Sequence, residues 1–290
     1  MKVAFQGETG AYSEEAVFAL CPGATPVGCP SFERVFESVV SGDVAHGVVP
    51  IENSLHGSVH QNYDHLREYP LVISGEVQVR IRHLLLGVAG ATLGNIRTVH
   101  SHPQALGQCR IFLKEKLPDA EIFPAYDTAG AAKMIAENAD PESAAIASVR
   151  AAHEYDLEIL AESIESNQNN FTRFLKLSLP GTDGAALVPG TPAESEVGAN
   201  VEIKTSVVYA QHENVPGSLF KSLAVFALRD IDLLKIESRP LVGSPGKYLF
   251  YLDLGGSTED ESVINALRHL EEVAASVKVL GSYPVGHKVE

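Results

Sequence analysis

The sequence is poor in cysteine, basic side chains and long apolar runs, and it contains no tryptophan. Cys21, Cys29 and Cys109 are odd in number and have no CxxC spacing, so they indicate neither a disulfide framework nor a zinc site. Cys109 is consistent with a nucleophile or with a buried helix thiol, and the buried role is the more common one. We therefore expect a reducing, cytoplasmic environment.

The chain carries 22 Lys and Arg against 37 Asp and Glu, which gives a net charge of −15. Nucleic acids and anionic membranes both require clustered basic residues, so we expect neither as a partner. No apolar run reaches the roughly 18 residues that span a bilayer. The first residues lead directly into a predicted strand and a glycine turn, which is unlike a secretory signal.

A length of 290 residues with 45% hydrophobic content predicts about two globular domains. From residue 1 to about 165, predicted strands alternate with predicted helices, which favours a mostly parallel sheet with helices on both faces. The stretch from Leu71 to Val88 is long for one strand, so we expect it to cross between two lobes near Arg80. Residues 181–200 are rich in Gly and Pro and predict a linker.

Polar residues follow the ends of several predicted strands. Gly7 and Gly10 form a loop before Ser13, the predicted N-cap of a helix, and this geometry suits an anion, although this stretch taken alone favours a plain βα turn. Pro50 cannot donate to a sheet ladder, so we expect pairing to stop there and leave Glu52 and Asn53 at the strand's end. Ligands bind at such positions in open α/β sheets; a turn with a helix cap is the alternative.

A second strand end carries Ser101 and His102, followed by Pro103 at a helix start and by Gln108 on that helix. His102 is either a general base or a capping residue, and the sharp turn at Pro103 favours capping. Asp127 or Thr128 is expected to cap a later helix. Thr9, Thr128 and Thr172 add hydroxyls to the candidate pocket.

The stretch from Phe171 to Phe174 places a hydroxyl, a guanidinium and two aromatic rings in four consecutive residues. A guanidinium offers a planar fork of donors that matches a carboxylate. We therefore interpret Arg173 as a substrate anchor and Thr172 as a proton-donating hydroxyl. The alternative is an edge strand with simple alternation of side chains.

The region from about residue 201 onward has the order βαββαβ, which is the ferredoxin-like layout. A domain of this size with exposed strand edges usually pairs, so we expect a homodimer or a homotetramer.

Five stretches, in this order, resemble the motifs of prephenate dehydratases. They are Gly7-Glu8-Thr9-Gly10-Ala11-Tyr12-Ser13-Glu14-Glu15-Ala16, Val49-Pro50-Ile51-Glu52-Asn53-Ser54 with Gly57, Ser101-His102-Pro103-Gln104, Thr172-Arg173-Phe174 and Ile236-Glu237-Ser238-Arg239-Pro240. The fifth resembles the phenylalanine-binding motif of the family's regulatory ACT domain. The resemblance extends from about Met1 to about Tyr283.

The resemblance implies an α/β fold with a two-lobed, periplasmic-binding-protein-like catalytic domain at 1–180 and an ACT domain at 201–290. Lobe 1 would comprise about 1–80 plus the return near 165–180, and lobe 2 about 81–164. The implied reaction converts prephenate to phenylpyruvate, carbon dioxide and water without a metal or organic cofactor. The implied catalytic residues are Thr172, Arg173, Asn53, Ser101 and Gln108, and the implied pocket residues are Thr9, Glu52, Phe171 and Phe174.

The resemblance also implies feedback regulation by L-phenylalanine. The implied allosteric residues are Pro216, Gly217, Ser218, Leu219, Glu237, Ser238, Arg239 and Pro240. The family pattern at the first of these segments resembles Gly-Ala-Leu, whereas this chain has Gly217-Ser218-Leu219. Two alternatives stay open: arogenate dehydratase, which acts on the amino-acid analogue of prephenate, and a non-catalytic amino-acid-binding sensor.

Overall fold

The computed structural model describes residues 1–182, 202–241 and 243–289, which form three β-sheets with flanking helices. The linker predicted at 181–200 lies almost wholly outside the described residues. None of the helices in these ranges is both long enough and apolar enough to cross a membrane.

The first lobe begins with three parallel strands, with β1 between β2 and β3. Its elements in chain order are β1 (Lys2–Gln6), α1 (Tyr12–Leu20), β2 (Thr25–Cys29), α2 (Phe32–Val40), β3 (His46–Asn53), β4 (Gly57–Ser58), α3 (His60–Glu68) and β5 (Val72–Arg80). Helix α2 buries Val35, Phe36 and Val39, the apolar stripe that its 3.6-residue period predicts.

Helix α1 begins one residue before the predicted cap. Its N-cap is Ala11, and Ser13 lies within the first turn, so the prediction of Ser13 as N-cap is wrong. The cause is Glu14, whose carboxylate reaches back and accepts from the Gly10 N–H at 2.8 Å. An acidic residue of the first turn thus satisfies a donor at the start of the helix.

The second lobe starts where the chain leaves β5. Strand β5 ends at Arg80, where the sequence predicts the crossing, and the stretch from Leu71 to Val88 forms two strands rather than one. The strands separate because Ile81 N–H donates to the Asn170 carbonyl at 2.7 Å and His83 N–H donates to Glu165 at 3.0 Å, instead of entering a ladder. The lobe's elements are β6 (Leu84–Gly87), β7 (Thr98–Ser101), α4 (Pro103–Gln108), α5 (Arg110–Lys116), β8 (Glu121–Pro124), α6 (Thr128–Asn138), β9 (Ser143–Ala147), α7 (Val149–Glu154) and β10 (Glu158–Ala161).

Strand β11 (Phe171–Ser178) returns to the first lobe, where it pairs antiparallel with both β3 and β5. The sequence predicted that the pairing of β3 would stop at Pro50, and this prediction is wrong. The pairing of β11 with β3 continues to Asn53, which lies opposite Thr172. Between Glu52 and Pro50 the register shifts by one residue, which forms a β-bulge. The bulge allows the strand to include Pro50, which has no N–H to donate. This shift places Asn53 beside Thr172.

The described residues from 202 onward form β12 (Ile203–Gln211), α8 (Ser218–Ala227), β13 (Leu233–Pro240), β14 (Tyr248–Gly255), α9 (Glu261–Val273), β15 (Ala274–Pro284) and β16 (Lys288–Val289). The order β13-β14-β12-β15, with antiparallel neighbours, confirms the predicted ferredoxin-like layout. The two helices cover one face of this sheet.

The other face of the C-terminal sheet packs on the first lobe. Tyr251 and Leu280 share a buried core with Leu66 and Ile73 of that lobe. Gly281 allows the closest approach, because a Cβ atom built there would lie 2.2 Å from the Ile73 carbonyl oxygen. Strand β16 then adds to the first-lobe sheet, parallel to β5. The two units are therefore packed as one body in this structure.

Candidate active site

A cavity of about 540 Å³, here called the interlobe cavity, is lined by residues of both lobes. The residues singled out from the sequence that line it include Asn53, Gln108, Thr128, Thr172 and Phe174, together with Gly7, Ser13, His102 and Asp127. Phe174 is almost fully buried and supplies an apolar wall. The structure therefore brings together the hydroxyl and two of the amides that the motifs predicted.

Thr172 and Asn53 form the centre of this arrangement. The Asn53 amide nitrogen donates to Thr172 Oγ1 at 3.0 Å and to Asn170 Oδ1 at 2.8 Å. Because Asn53 fills an acceptor position on the hydroxyl, the Thr172 proton stays available for donation. The oxygen of the Asn53 amide accepts from the backbone N–H groups of Leu55 and His56 at 3.0 and 3.1 Å, which fixes its orientation.

A chain of side-chain hydrogen bonds extends from this pair into the second lobe. The buried Asn170 amide donates to Gln108 Oε1 at 3.0 Å, and His83 Nε2 donates to the same oxygen at 2.5 Å. His83 Nδ1 lies 3.1 Å from the Tyr12 hydroxyl. Burial lowers the pKa of His83, so its ring is neutral, with the proton on Nε2. The network locks Gln108 and joins both lobes across the cavity.

Helix N-termini, and not basic side chains, favour an anion in the interlobe cavity. Among the described residues that line it there is no Lys or Arg. The N-termini of α1, α2 and α6 border the cavity at Tyr12, Phe32 and Thr128. Unpaired backbone N–H groups and the helix dipole favour an anion at such ends.

His102 and Asp127 are two titratable cavity residues with capping roles. His102 accepts from the Gln104 N–H at 3.3 Å, which confirms capping over the general-base interpretation. Asp127, not Thr128, caps α6 by accepting from the Gly130 N–H. Burial lowers the pKa of His102 and raises the pKa of Asp127. Both shifts follow from the cost of holding a charge away from water.

The structure does not bring Arg173 to the cavity. Side chains alternate along β11, so Thr172 and Phe174 face the cavity while Arg173 faces the C-terminal domain. Its guanidinium bonds Glu76 and Asp253, each at 2.6 Å, and the Tyr283 hydroxyl at 3.1 Å. The expectation that Arg173 anchors the substrate is therefore corrected: its donors are occupied at a domain interface.

We call Glu76, Arg173, Lys204 and Asp253 the interdomain charge cluster. Lys204 Nζ adds a bond of 2.6 Å to Glu76, so two cations meet two anions. Burial by itself lowers the pKa of Arg173, but the carboxylates of Asp253 and Glu76 reverse this and hold the pKa above its ordinary value. The guanidinium is thus permanently charged and paired.

Four other predicted site residues also lie outside the cavity lining. Ser101 is fully buried and donates to the Ile146 carbonyl at 2.6 Å, so it joins strands of the second-lobe sheet. The Thr9 carbonyl accepts from Tyr155 at 2.8 Å. Glu52 pairs with Lys235 at 2.8 Å, and the Phe171 ring lies under Lys288. Glu52 and Phe171 share the Arg173 side of the sheet, because alternation turns them away from Asn53 and Thr172.

Sequence reasoning missed Tyr12, His83 and Asn170 as members of the site. Tyr12 stands inside a recognised motif, and Asn170 directly precedes the stretch from Phe171 to Phe174. An amide immediately before a predicted strand was a signal that could have identified Asn170. His83 lies in the crossing between the lobes and had no local signal. Cys109 is buried, and burial raises the pKa of its thiol, which indicates a helix thiol and not a nucleophile.

The residues expected to bind phenylalanine lie in two places on the C-terminal domain. Gly217 is the N-cap of α8 with φ 86°, and Pro216, Ser218 and Leu219 beside it are exposed or half-buried. Along β13, Glu237 and Arg239 turn towards the first lobe, where they contact Ser58 and Asp64 at 2.7 and 2.8 Å. Ser238 and Pro240 face away and are exposed.

The family model and the curated relative that match this chain both carry the description prephenate dehydratase. A family model described as "Prephenate dehydratase" matches residues 3–181. The Arabidopsis thaliana protein "Arogenate dehydratase/prephenate dehydratase 2, chloroplastic" is 46% identical over 294 residues, covering 98% of this chain and 73% of that protein.

Two solved structures are similar over nearly the whole chain. One is a prephenate dehydratase from Arthrobacter aurescens in complex with L-Phe, with a TM-score of 0.85 and 33% identity over 98% of this chain and 89% of that chain. The other is described as "GqqA- a novel type of quorum quenching acylases", with a TM-score of 0.86 and 33% identity over 98% of both chains.

Proposed function

The chain belongs to the prephenate dehydratase family, and on that premise we propose that it catalyses the decarboxylating dehydration of prephenate or of arogenate. Prephenate would give phenylpyruvate, and arogenate would give phenylalanine, each with carbon dioxide and water. The observation that carries the proposal is the Thr172 hydroxyl, which faces the interlobe cavity and accepts a hydrogen bond from Asn53.

In this reaction the ring loses a carboxylate and its hydroxyl together and becomes aromatic, so the driving force lies in the substrate. Thr172 donates its proton, or a hydrogen bond, to the departing hydroxyl. As negative charge develops on Thr172 Oγ1, the Asn53 N–H at 3.0 Å stabilises it. Threonine is a weak acid, so much of this assistance is electrostatic and positional.

Substrate carboxylates are held by helix N-termini and neutral donors in this proposal. Ser13 and Ser31 line the cavity at the starts of α1 and α2, where they can add hydroxyl donors to the backbone N–H groups. Gln108 orients the substrate from the second-lobe side. Arg173 has no part in binding, because its guanidinium is paired on the other face of the sheet.

One structural neighbour is described as an acylase, but acyl transfer is the less favoured chemistry for this chain. A nucleophilic hydroxyl needs an adjacent base that removes its proton. The side chain that bonds Thr172 Oγ1 is the Asn53 amide, which acts there as a donor and cannot accept a proton. The geometry therefore suits proton donation by Thr172.

The C-terminal domain is proposed to be an ACT domain that binds L-phenylalanine and joins chains into a homodimer or homotetramer. Its fold supports this role, as do several exposed apolar side chains, of which Phe220 is 75% exposed; the others are Leu219, Leu234 and Ile236. Apolar area of this kind typically marks an association surface.

The experiment is an assay of the purified chain and of Thr172→Ala with both substrates. We expect Thr172→Ala to lower kcat by roughly 100-fold or more with little change in KM, because the lost interaction is made mainly in the transition state. Thr172→Ser, which keeps the hydroxyl, is the matched control and should retain most of the turnover. Near-normal turnover by a folded Thr172→Ala variant would remove Thr172 from the mechanism.

A further inference from the structure

Asp127 is the one carboxylate among the described residues that line the interlobe cavity. Its Oδ1 accepts from the Gly130 N–H and its Oδ2 from the Glu8 N–H at 3.3 Å, which fixes the side chain. A carboxylate offers about four acceptor positions. Both oxygens therefore keep acceptor capacity after these two bonds.

Among the described residues, no Lys or Arg forms an ion pair with Asp127. Lys133 is the ammonium closest along α6, but it pairs with Glu8 at 3.1 Å and does not line the cavity. His102 is a cavity neighbour whose pKa is lowered by burial, so it is neutral at physiological pH. Burial also raises the pKa of Asp127 itself, although the N–H groups of Gly130 and Glu8 partly offset this effect.

The two candidate substrates differ at one position. Prephenate carries a keto group beside its side-chain carboxylate, whereas arogenate carries an ammonium there. A cavity lined by one carboxylate and by no Lys or Arg, in the part of the chain that is described, complements the ammonium. We propose that Asp127 is a specificity-determining residue that receives the α-ammonium of arogenate, an inference that rests on the proposed function.

The helix ends support this orientation. The N-terminus of α6 already carries the fixed negative charge of Asp127, which disfavours a substrate carboxylate there. The N-caps of α1 and α2 are Ala11 and Ser31, which are neutral, and the first-turn carboxylates of these helices, Glu14, Glu15 and Glu33, do not line the cavity. The substrate carboxylates are therefore assigned to α1 and α2, and the ammonium to Asp127.

The test is the ratio of kcat/KM for arogenate to kcat/KM for prephenate, measured for the wild-type chain, Asp127→Asn and Asp127→Ser. Asn and Ser are both good N-caps, so α6 keeps its start in each variant. Loss of a charge-assisted hydrogen bond lowers kcat/KM by roughly 10- to 150-fold, so we expect the ratio to fall at least about tenfold. Asp140→Asn is the control, since Asp140 also accepts a backbone bond, from Glu142 N–H at 3.0 Å, but lies outside the cavity lining.

The inference would be overturned if Asp127→Asn left the ratio of the two kcat/KM values unchanged. It would also be overturned if Asp127→Asn and Asp127→Ser lowered kcat/KM equally for arogenate and prephenate, because Asp127 would then have a capping role only. A wild-type chain that prefers prephenate would overturn it as well. If the wild-type chain turns over neither substrate, the proposed function itself fails. A ratio that falls in both Asp127 variants and is kept in Asp140→Asn supports the assignment.

Discussion

Replacement of Arg173 by methionine separates substrate binding from domain attachment. Methionine is unbranched and apolar, so it keeps much of the side-chain volume and removes the charge. The interdomain charge cluster is almost fully shielded from solvent. The exposed fraction of its side chains is 0% for Glu76, 8% for Lys204, 11% for Asp253 and 12% for Arg173. In Arg173→Met, Asp253 loses its cation and Glu76 keeps only Lys204.

Breaking a buried ion pair by removing one partner costs about 3–5 kcal/mol, because the other charge is left without compensation. With an unfolding entropy of about 2.1 cal/mol/K per residue over 290 residues, this corresponds to a fall in Tm of about 5–8 °C for a cooperative transition. Asp253→Asn, on the C-terminal domain, should give a loss of the same order. The double variant should lose less than the sum, since both changes break one pair.

The assay combines thermal unfolding with steady-state kinetics at saturating and limiting substrate. Arg34→Met is the control, because Arg34 and Glu37 form an ion pair at 3.3 Å whose side chains are 49% and 46% exposed, and such pairs contribute about 0–1 kcal/mol. We expect KM of Arg173→Met to stay within about threefold of wild type at a temperature where the variant is folded. A large rise in KM with an unchanged Tm would refute this reasoning and restore Arg173 as a substrate anchor.

Two further predictions concern regulation and pH. If L-phenylalanine inhibits the chain as proposed, Gly217→Val should abolish that inhibition, an effect of roughly 5- to 150-fold, because valine is strained at φ 86° where α8 begins. Gly23→Val, at φ 77° in the first lobe, is the control, and inhibition that persists unchanged in Gly217→Val would contradict the regulatory site. Because the pKa of His83 is lowered in the folded chain, the unfolded chain binds a proton first as the pH falls, and the free energy of unfolding should decrease below about pH 6.5. Urea midpoints measured between about pH 7.5 and 5.5 should therefore depend less on pH in His83→Gln than in wild type. An equal pH dependence in the two proteins would assign the effect to another group.

Short-range chemistry made several parts of the fold predictable from the sequence. Helical spacing alone accounts for the buried face of α2 at Val35, Phe36 and Val39, and the residue type of Ser31 suits its role as the cap of that helix. The βαββαβ order of the C-terminal region needed only the sequence of periodicities. These features depend on residues within one or two turns of each other, which is why the sequence reports them reliably.

The candidate site was predictable where a motif residue and its partner lie on adjacent strands. Asn53 and Thr172 were both identified, but their direct contact depends on the bulge at Pro50, and no local rule sets that register. The direction of Arg173 follows from alternation only after the face of Thr172 is known. Its true partners, Glu76 and Asp253, are 97 and 80 positions away in the chain, and ion pairs at that separation leave no sequence pattern.

The pairing of β16 with β5 gives the C-terminal domain a second attachment to the first lobe. The chain enters this domain after β11 and, once β15 ends, returns to the edge of the same sheet, where the His287 carbonyl accepts from the Gln78 N–H at 2.9 Å. The C-terminal domain packs on the first lobe and is also paired to its sheet through β16, so it cannot rotate away about a single hinge without breaking the pairing of β16 with β5. Sliding of β15 along β5, at the close approach of Gly281 and Ile73, keeps both attachments of the C-terminal domain. We therefore expect a ligand-induced movement between this domain and the first lobe to be a shear motion.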